Sequence, residues 1–248
     1  MALLPCAAQA AVFVDDFADN VRGPQWTEVV DDASLTLSEA SSRLNVLANA
    51  PANPNFDAIY LSNGPAGFRL STAADFSLAI DYSFNAATPV ANAMGSLGLV
   101  FGVGRDEEGT DSAAIGFIYS QLLGQTTVVV TRTDDVQTFA GNDGTLPNTG
   151  RFAIAYRALT DELALGTFVG GEAKVVGTLT GVVRGVWGAD DLLVSFGAHG
   201  AGYSTSFGNA YFDNFAIEEG VLVPEPSAMM MVGASAIALL AGRRRRLG

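Results

Sequence analysis

Phe76-Ser77-Leu78-Ala79-Ile80-Asp81-Tyr82-Ser83-Phe84 alternates large apolar residues with small or polar ones. Successive side chains of a strand point to opposite faces, so this stretch predicts a half-buried strand with Phe76, Leu78, Ile80, Tyr82 and Phe84 turned inward. The same period recurs at Phe152, Ile154 and Tyr156, set between Arg151, Ala153, Ala155 and Arg157. It recurs again at Leu97, Leu99, Phe101 and Val103, whose opposite face is Ser96, Gly98, Val100 and Gly102. Further candidate strands are 12–17, 34–38, 43–48, 57–62, 112–119, 125–133, 162–169, 192–197 and 210–218. Turn-forming clusters punctuate them: Asn63-Gly64-Pro65, Arg105 to Gly109, Asn142-Asp143-Gly144 and Gly170-Gly171. No stretch before residue 227 carries a helical stripe, and no repeat is visible. A dozen short strands at this spacing predict an all-β, two-sheet antiparallel jelly-roll sandwich over residues 11–219.

The tail is built differently. After Val223-Pro224-Glu225-Pro226 comes an uncharged apolar run, 227–242, and then Arg243-Arg244-Arg245-Arg246 near the end of the sequence. As a helix the run reaches about 24 Å at roughly 1.5 Å per residue, against a hydrocarbon core of about 30 Å. Arginines at its end can snorkel to the headgroups, and bilayers thin around short spans. The run is apolar on all sides, whereas a helix packed on a surface is striped. The expectation is a single C-terminal transmembrane helix rather than a buried core helix. The basic cluster predicts a cytoplasmic C-terminus at first, with residues 1–226 on the far side.

Pro224, Glu225 and Pro226, followed by one span containing Gly233, Ala234, Ala236, Ala238, Leu239 and Leu240 and by the terminal arginines, resemble the PEP-CTERM sorting signal. The resemblance covers residues 220–248. It implies export across the inner membrane of a Gram-negative bacterium that secretes exopolysaccharide. It further implies recognition by an exosortase, a membrane-embedded cysteine transpeptidase, and removal of the tail. Val12-Phe13-Val14-Asp15-Asp16-Phe17 with Trp26, and Tyr211-Phe212-Asp213-Asn214-Phe215-Ala216-Ile217, resemble the first and last strands of concanavalin A-like lectin/glucanase sandwiches. That second resemblance implies a curved jelly roll whose concave face often binds glycans.

The other end fits export. Ala8-Gln9-Ala10 matches the small-x-small pattern of signal-peptidase cleavage at Ala8 and Ala10, after Leu3-Leu4. Residues 1–10 read as the remnant of a signal peptide, with Met1 an internal or miscalled start. Cleavage would remove Cys6, the one cysteine, and with it any thiol chemistry. Without the tail's arginines and Glu225, the body holds 25 acidic and 9 basic residues, a net charge of about −16. That charge excludes nucleic acid as a partner and offers carboxylates to divalent cations.

A sandwich glucanase needs two carboxylates about 5–5.5 Å apart for retention, and no strand carries Glu-x-Asp-x-x-Glu. Asp106-Glu107-Glu108 and Asp161-Glu162 read as solvated hairpin acids. His199 lies in Gly197-Ala198-His199-Gly200, which reads as an exposed flexible loop without a nucleophile nearby. No residue is assigned a catalytic role. Calcium takes six to eight oxygens. If first and last strands are neighbours, as the resemblance implies, Asp15 or Asp16 comes near Asp213. Asp213 shares parity with Phe215 and Ile217 and so should point inward, held by structural Ca2+ or by backbone amides. The acidic loop Asp106–Asp111 is a second calcium candidate. Trp26 reads as core. Trp187 and Tyr203, in Gly-rich connections, are candidate glycan-stacking residues, with packing an equal reading for Trp187. The expectation is a non-enzymatic surface or matrix protein contacting exopolysaccharide. The alternatives are a glycoside hydrolase or lyase of the same fold, and a self-associating matrix protein without a ligand.

Overall fold

The computed structural model describes residues 11–30, 34–48, 57–64, 67–85, 95–106, 109–120, 124–143, 147–169 and 171–224. The signal-cleavage residues Ala8 and Ala10, the motif residues Glu225 and Pro226, the span 227–242 and the cluster Arg243–Arg246 lie outside these. The described residues form strands β1 (Phe13–Asp15), β2 (Thr27–Val30), β3 (Leu35–Glu39), β4 (Leu44–Ala48), β5 (Asp57–Ser62) and β6 (Phe68–Ser71). Then come β7 (Phe76–Phe84), β8 (Ser96–Gly104), β9 (Ser112–Ser120), β10 (Gly124–Thr133), β11 (Val136–Asp143) and β12 (Thr149–Arg157). The remainder are β13 (Glu162–Val169), β14 (Glu172–Thr180), β15 (Asp191–Ala201), β16 (Ala210–Glu219) and β17 (Leu222–Pro224). No helix among the described residues is long and apolar enough to cross a membrane.

All pairings are antiparallel, in two sheets. The eight-stranded sheet runs β14-β13-β12-β7-β16-β4-β3, with β1 also against β16. The nine-stranded sheet runs β11-β10-β9-β8-β15-β5-β2, with β6 joined to β15 and β17 to β6. The two-sheet antiparallel sandwich is as the alternation predicts, and β1 and β16 are neighbours. Phe76, Leu78, Ile80, Tyr82 and Phe84 all face the core at 2 % exposure or less. Tyr82 stacks on Phe152 of the neighbouring strand at 4.1 Å, and Phe76 on Tyr156 at 5.1 Å. Between the sheets, Trp26 meets Phe196 edge-on at 4.7 Å and Phe215 at 5.3 Å. Aromatic pairs at these geometries add to what burial contributes.

Five strands depart from the expected set: β2, β6, β11, β14 and β17. β11 was hidden by its turn. Asp134 and Asp135, with φ of +49° and +64°, join β10 to β11 in a two-residue hairpin, a conformation usually signalled by Asn-Gly. β11 and β14 are the edges of different sheets, and they close against each other. A Cβ added at Gly141 would stand 2.0 Å from the Val176 carbonyl oxygen, so only glycine permits the approach.

β16 contains the bulge that matters most for its acids. Its register with β7 shifts between Asp213 and Ala216, and Asn214 takes a left-handed φ of +49°. Phe212 and Phe215 consequently both point inward, fully buried. Asp213 is paired with Asp81 and so lies on the outer face, not the inner one that simple parity predicted.

Candidate functional site

β1 lies against β16 as expected, and Asp16 is near enough to Asp213 to act on its charge, but these acids form no group of three ligands among the described residues. Asp15 accepts hydrogen bonds from Trp26 Nε1 at 2.7 Å, Gln25 Nε2 at 3.2 Å and the Phe17 amide at 3.1 Å. Asp16 accepts from the Ala18 amide, and Asp213 from the Asn214 amide. Among the described residues no three His, Cys, Asp or Glu side chains converge on a point that could hold a metal ion. The second candidate loop is likewise used internally. Asp111, 2 % exposed, pairs with Arg105 at 3.0 Å and accepts the Asp134 amide, tying the β10–β11 hairpin down.

The glycan-stacking candidates are also core. Trp187 is 2 % exposed, and its Nε1 donates to Thr133 Oγ1 at 3.0 Å. Tyr203 is 1 % exposed, packed beside Phe84 and Tyr119. Neither ring offers a face to a sugar. Asp161, read as a solvated hairpin acid, is buried instead. It accepts from the Tyr156 hydroxyl at 2.9 Å and from the Arg184 and Gly185 amides, fixing the connection that carries Trp187. Burial, and then the bond to Asp161, push the Tyr156 hydroxyl up to about 12.

The outer face of the eight-stranded sheet is charged and self-satisfied. Arg151 pairs with Asp81 at 3.3 Å and Glu218 at 3.2 Å, and Asn214 Nδ2 donates to Asp81 at 2.9 Å. Arg43 lies 4.3 Å over the Tyr211 ring. Burial raises the Asp213 carboxyl above the usual range, with Asp81 and Asp16 reinforcing it against the Asn214 amide.

The outer face of the nine-stranded sheet is different. Its register sets out rows across β8, β15 and β5: Gly98, His199, Ala58; then Val100, Gly197, Tyr60; then Gly102, Ser195, Ser62. None of these positions carries a carboxylate, so the negative charge of the chain lies elsewhere. Two glycines set the floor. A Cβ at Gly197 would stand 2.1 Å from the Ile59 oxygen, and one at Gly98 would stand 2.4 Å from His199 Nε2. The side chains are low except for Tyr60, Val100 and His199, which are half-buried. His199 is therefore a strand residue laid across a glycine, not a loop residue. Desolvation pulls its imidazole down to about 4, so it is neutral at physiological pH. The sequence showed Ser96-x-Gly98-x-Val100-x-Gly102 as the second face of a strand. The missing signal was the cross-strand register that puts Tyr60 and His199 on that face.

One acid near the entry of the chain stands apart. Both carboxylate oxygens of Glu39 are shielded from solvent and meet no hydrogen-bond donor among the described residues. Burial, then Asp15 and Asp19, raise its pKa from 4.5 to about 7. The folded state therefore binds a proton that the unfolded state releases between about pH 4.5 and 7, and stability falls as pH rises through that window. Glu39→Gln should match the wild type near pH 4.5 and exceed it at pH 8 in urea midpoint. Equal midpoints at pH 8 would refute the assignment.

Residues 222–246 match the family described as the PEP-CTERM protein-sorting motif. The chain carries a PEP-CTERM sorting signal. Such a signal marks an exported protein sorted to the cell envelope and processed by an exosortase. None of the curated proteins compared with the chain matches it. Solved structures do match the body ahead of the PEP-CTERM signal. The CBM2 module of the evolved Dit of Lactobacillus casei BL23 phage J-1 aligns with a TM-score of 0.60 at 13 % identity, over 85 % of this chain and 97 % of that one. A Bacillus licheniformis β-glucanase aligns with a TM-score of 0.54 at 11 % identity, over 86 % of this chain and 100 % of that one. The exoplasmic/lumenal domain of VIP36, in its Ca2+/Man2-bound form, aligns with a TM-score of 0.54 at 14 % identity, over 86 % and 90 %. The body ahead of the PEP-CTERM signal thus shares the fold of concanavalin A-like lectin/glucanase jelly-roll sandwiches.

Proposed function

We propose that this is an envelope-sorted, non-enzymatic glycan-binding protein that contacts exopolysaccharide along the outer face of its nine-stranded sheet. The observation carrying the reading is the carboxylate-free surface in which Tyr60 stands beside Gly197. A sugar ring can stack on an aromatic face only if its neighbours are low, and glycine and serine provide that. Support also comes from the company of the fold: a CBM2 module, a mannose-bound domain and a β-glucanase. A neutral face on an acidic body suits a neutral polysaccharide better than a strongly anionic one.

The outer face of the eight-stranded sheet contributes no ligand-binding role in this proposal. Its Asp81 and Asp213 are paired across strands, but Asp81 already serves Arg151 and Asn214. Residues 11–224, screened against neutral and acidic polysaccharides with and without calcium, should bind a neutral one without needing the metal. Tyr60→Ala should weaken that binding by about 1–2 kcal/mol, roughly tenfold or somewhat more. Unchanged affinity in Tyr60→Ala would move the site off this face. Release of reducing ends that disappears in Asp213→Asn would replace the binding reading with the hydrolase one.

A further inference from the structure

The sorting match begins at residue 222, and so does β17. The first residues of the sorting signal are therefore also the last strand of the sandwich. Gly220, at φ +148°, turns the chain out of β16, and the Ser71 amide donates to the Val221 oxygen at 3.0 Å. Leu222 then pairs with Leu70, Val223 with Arg69 and Pro224 with Phe68. Leu70 is fully buried, and Leu222 packs against the core beside it. On its other side β6 is held by β15, through Ser71 with Asp191 and Leu70 with Leu192. β6 is thus a fixed rail, and β17 is the strand laid along it.

We infer that this pairing is an autoinhibitory contact: the sandwich holds the start of its own sorting signal, and processing requires β17 to peel away from β6. The inference rests on the exosortase reading of the tail. An enzyme that reads Pro224, Glu225 and Pro226 needs an extended segment whose backbone and side chains it can surround. β6 occupies one side of that segment as far as Pro224, so the two arrangements exclude each other. Peeling is feasible because the strand is short, lies at an edge and ends in a proline with no N–H to give the ladder. Segments of this kind open well below the global unfolding free energy. The processing rate then scales with the fraction of molecules in which β17 is free.

A reversible lock tests this. In the full chain, with Cys6→Ser to remove the native thiol, Arg69→Cys and Val223→Cys place cysteines at paired positions. Membranes containing the processing enzyme receive the oxidised or the reduced protein, and shortening is followed on gels. The oxidised form should persist at full length, shortened at least about tenfold more slowly than the reduced form, with reductant restoring the rate. Leu222→Ser, which weakens the hold on the core, should be shortened faster than the wild type. Equal rates for oxidised and reduced protein would overturn the inference, as would failure of the two cysteines to couple under oxidant. Absence of shortening in the wild type would instead overturn the exosortase reading, and the inference with it.

Discussion

Trp26→Ala is expected to lower the unfolding free energy of the sandwich by about 3–5 kcal/mol, the range for removing a large buried ring. Trp26 is 4 % exposed and bridges the layers. It touches Phe196 and Phe215 edge-on and lies 6.3 Å from Phe68, so its loss opens a cavity bounded by rigid rings that cannot collapse. It also removes the indole donor that holds Asp15 at 2.7 Å, loosening the strand that covers β16. For a domain of this size each kcal/mol corresponds to roughly 2–4 °C in Tm, so a fall of about 6–20 °C should appear in thermal melts. Trp26→Phe separates the contributions. It keeps most of the packing, loses the hydrogen bond and should cost about 1–2 kcal/mol. A loss below about 1 kcal/mol for Trp26→Ala would show that Trp26 is not a keystone of the core.

Glu225→Ala is expected to leave membrane insertion intact and stop processing, so that a full-length, membrane-held form accumulates. On the transmembrane reading of the tail, insertion would rest on the apolar run 227–242 and on Arg243–Arg246, and the substitution changes neither. Recognition depends on Pro224-Glu225-Pro226. The two prolines restrict the backbone to an extended course, and Glu225 supplies the only charge between Glu219 and Arg243. An enzyme distinguishing this segment from other proline-containing chain has that carboxylate to read, and loss of a charge-assisted contact is costly. Fractionation followed by mass measurement of the released and membrane-bound forms decides it. Release of Glu225→Ala at the wild-type rate would refute the exosortase assignment.

The two-layer architecture was legible because alternation at Phe76–Phe84 and its counterparts encodes which face is buried, and burial dominates the choice of fold. The tail was legible for a different reason: its order of motif, span and charge is linear, needing no tertiary partner to be read. The acids were misread wherever local geometry broke the period. The bulge at Asn214 inserts one residue between Phe212 and Phe215 and turns Asp213 outward. Asp161 looked like a solvated turn residue because its partners, Arg184 and Gly185, lie far along the chain. Trp187 and Tyr203 sat among glycines, which suggested exposure, yet both fold back into the core. The candidate face escaped notice because Gly98, His199 and Tyr60 become neighbours only through the register of β8, β15 and β5. Period is a property of one strand, whereas a site belongs to several.

The contact between β11 and β14 bears on how such a protein could assemble. Strand-by-strand polymerisation requires two open flanks per molecule, one to receive a neighbour and one to offer. Here the flank bounded by β11 and β14 is sealed on itself, with Gly141 seated against Val176. Among the described residues, edge pairing therefore falls to β2 and β3, at the other ends of the two strand orders, and to β17 beside β6. On the proposed glycan-binding reading, an extended matrix would take the polysaccharide as its continuous strand and the protein as its knot.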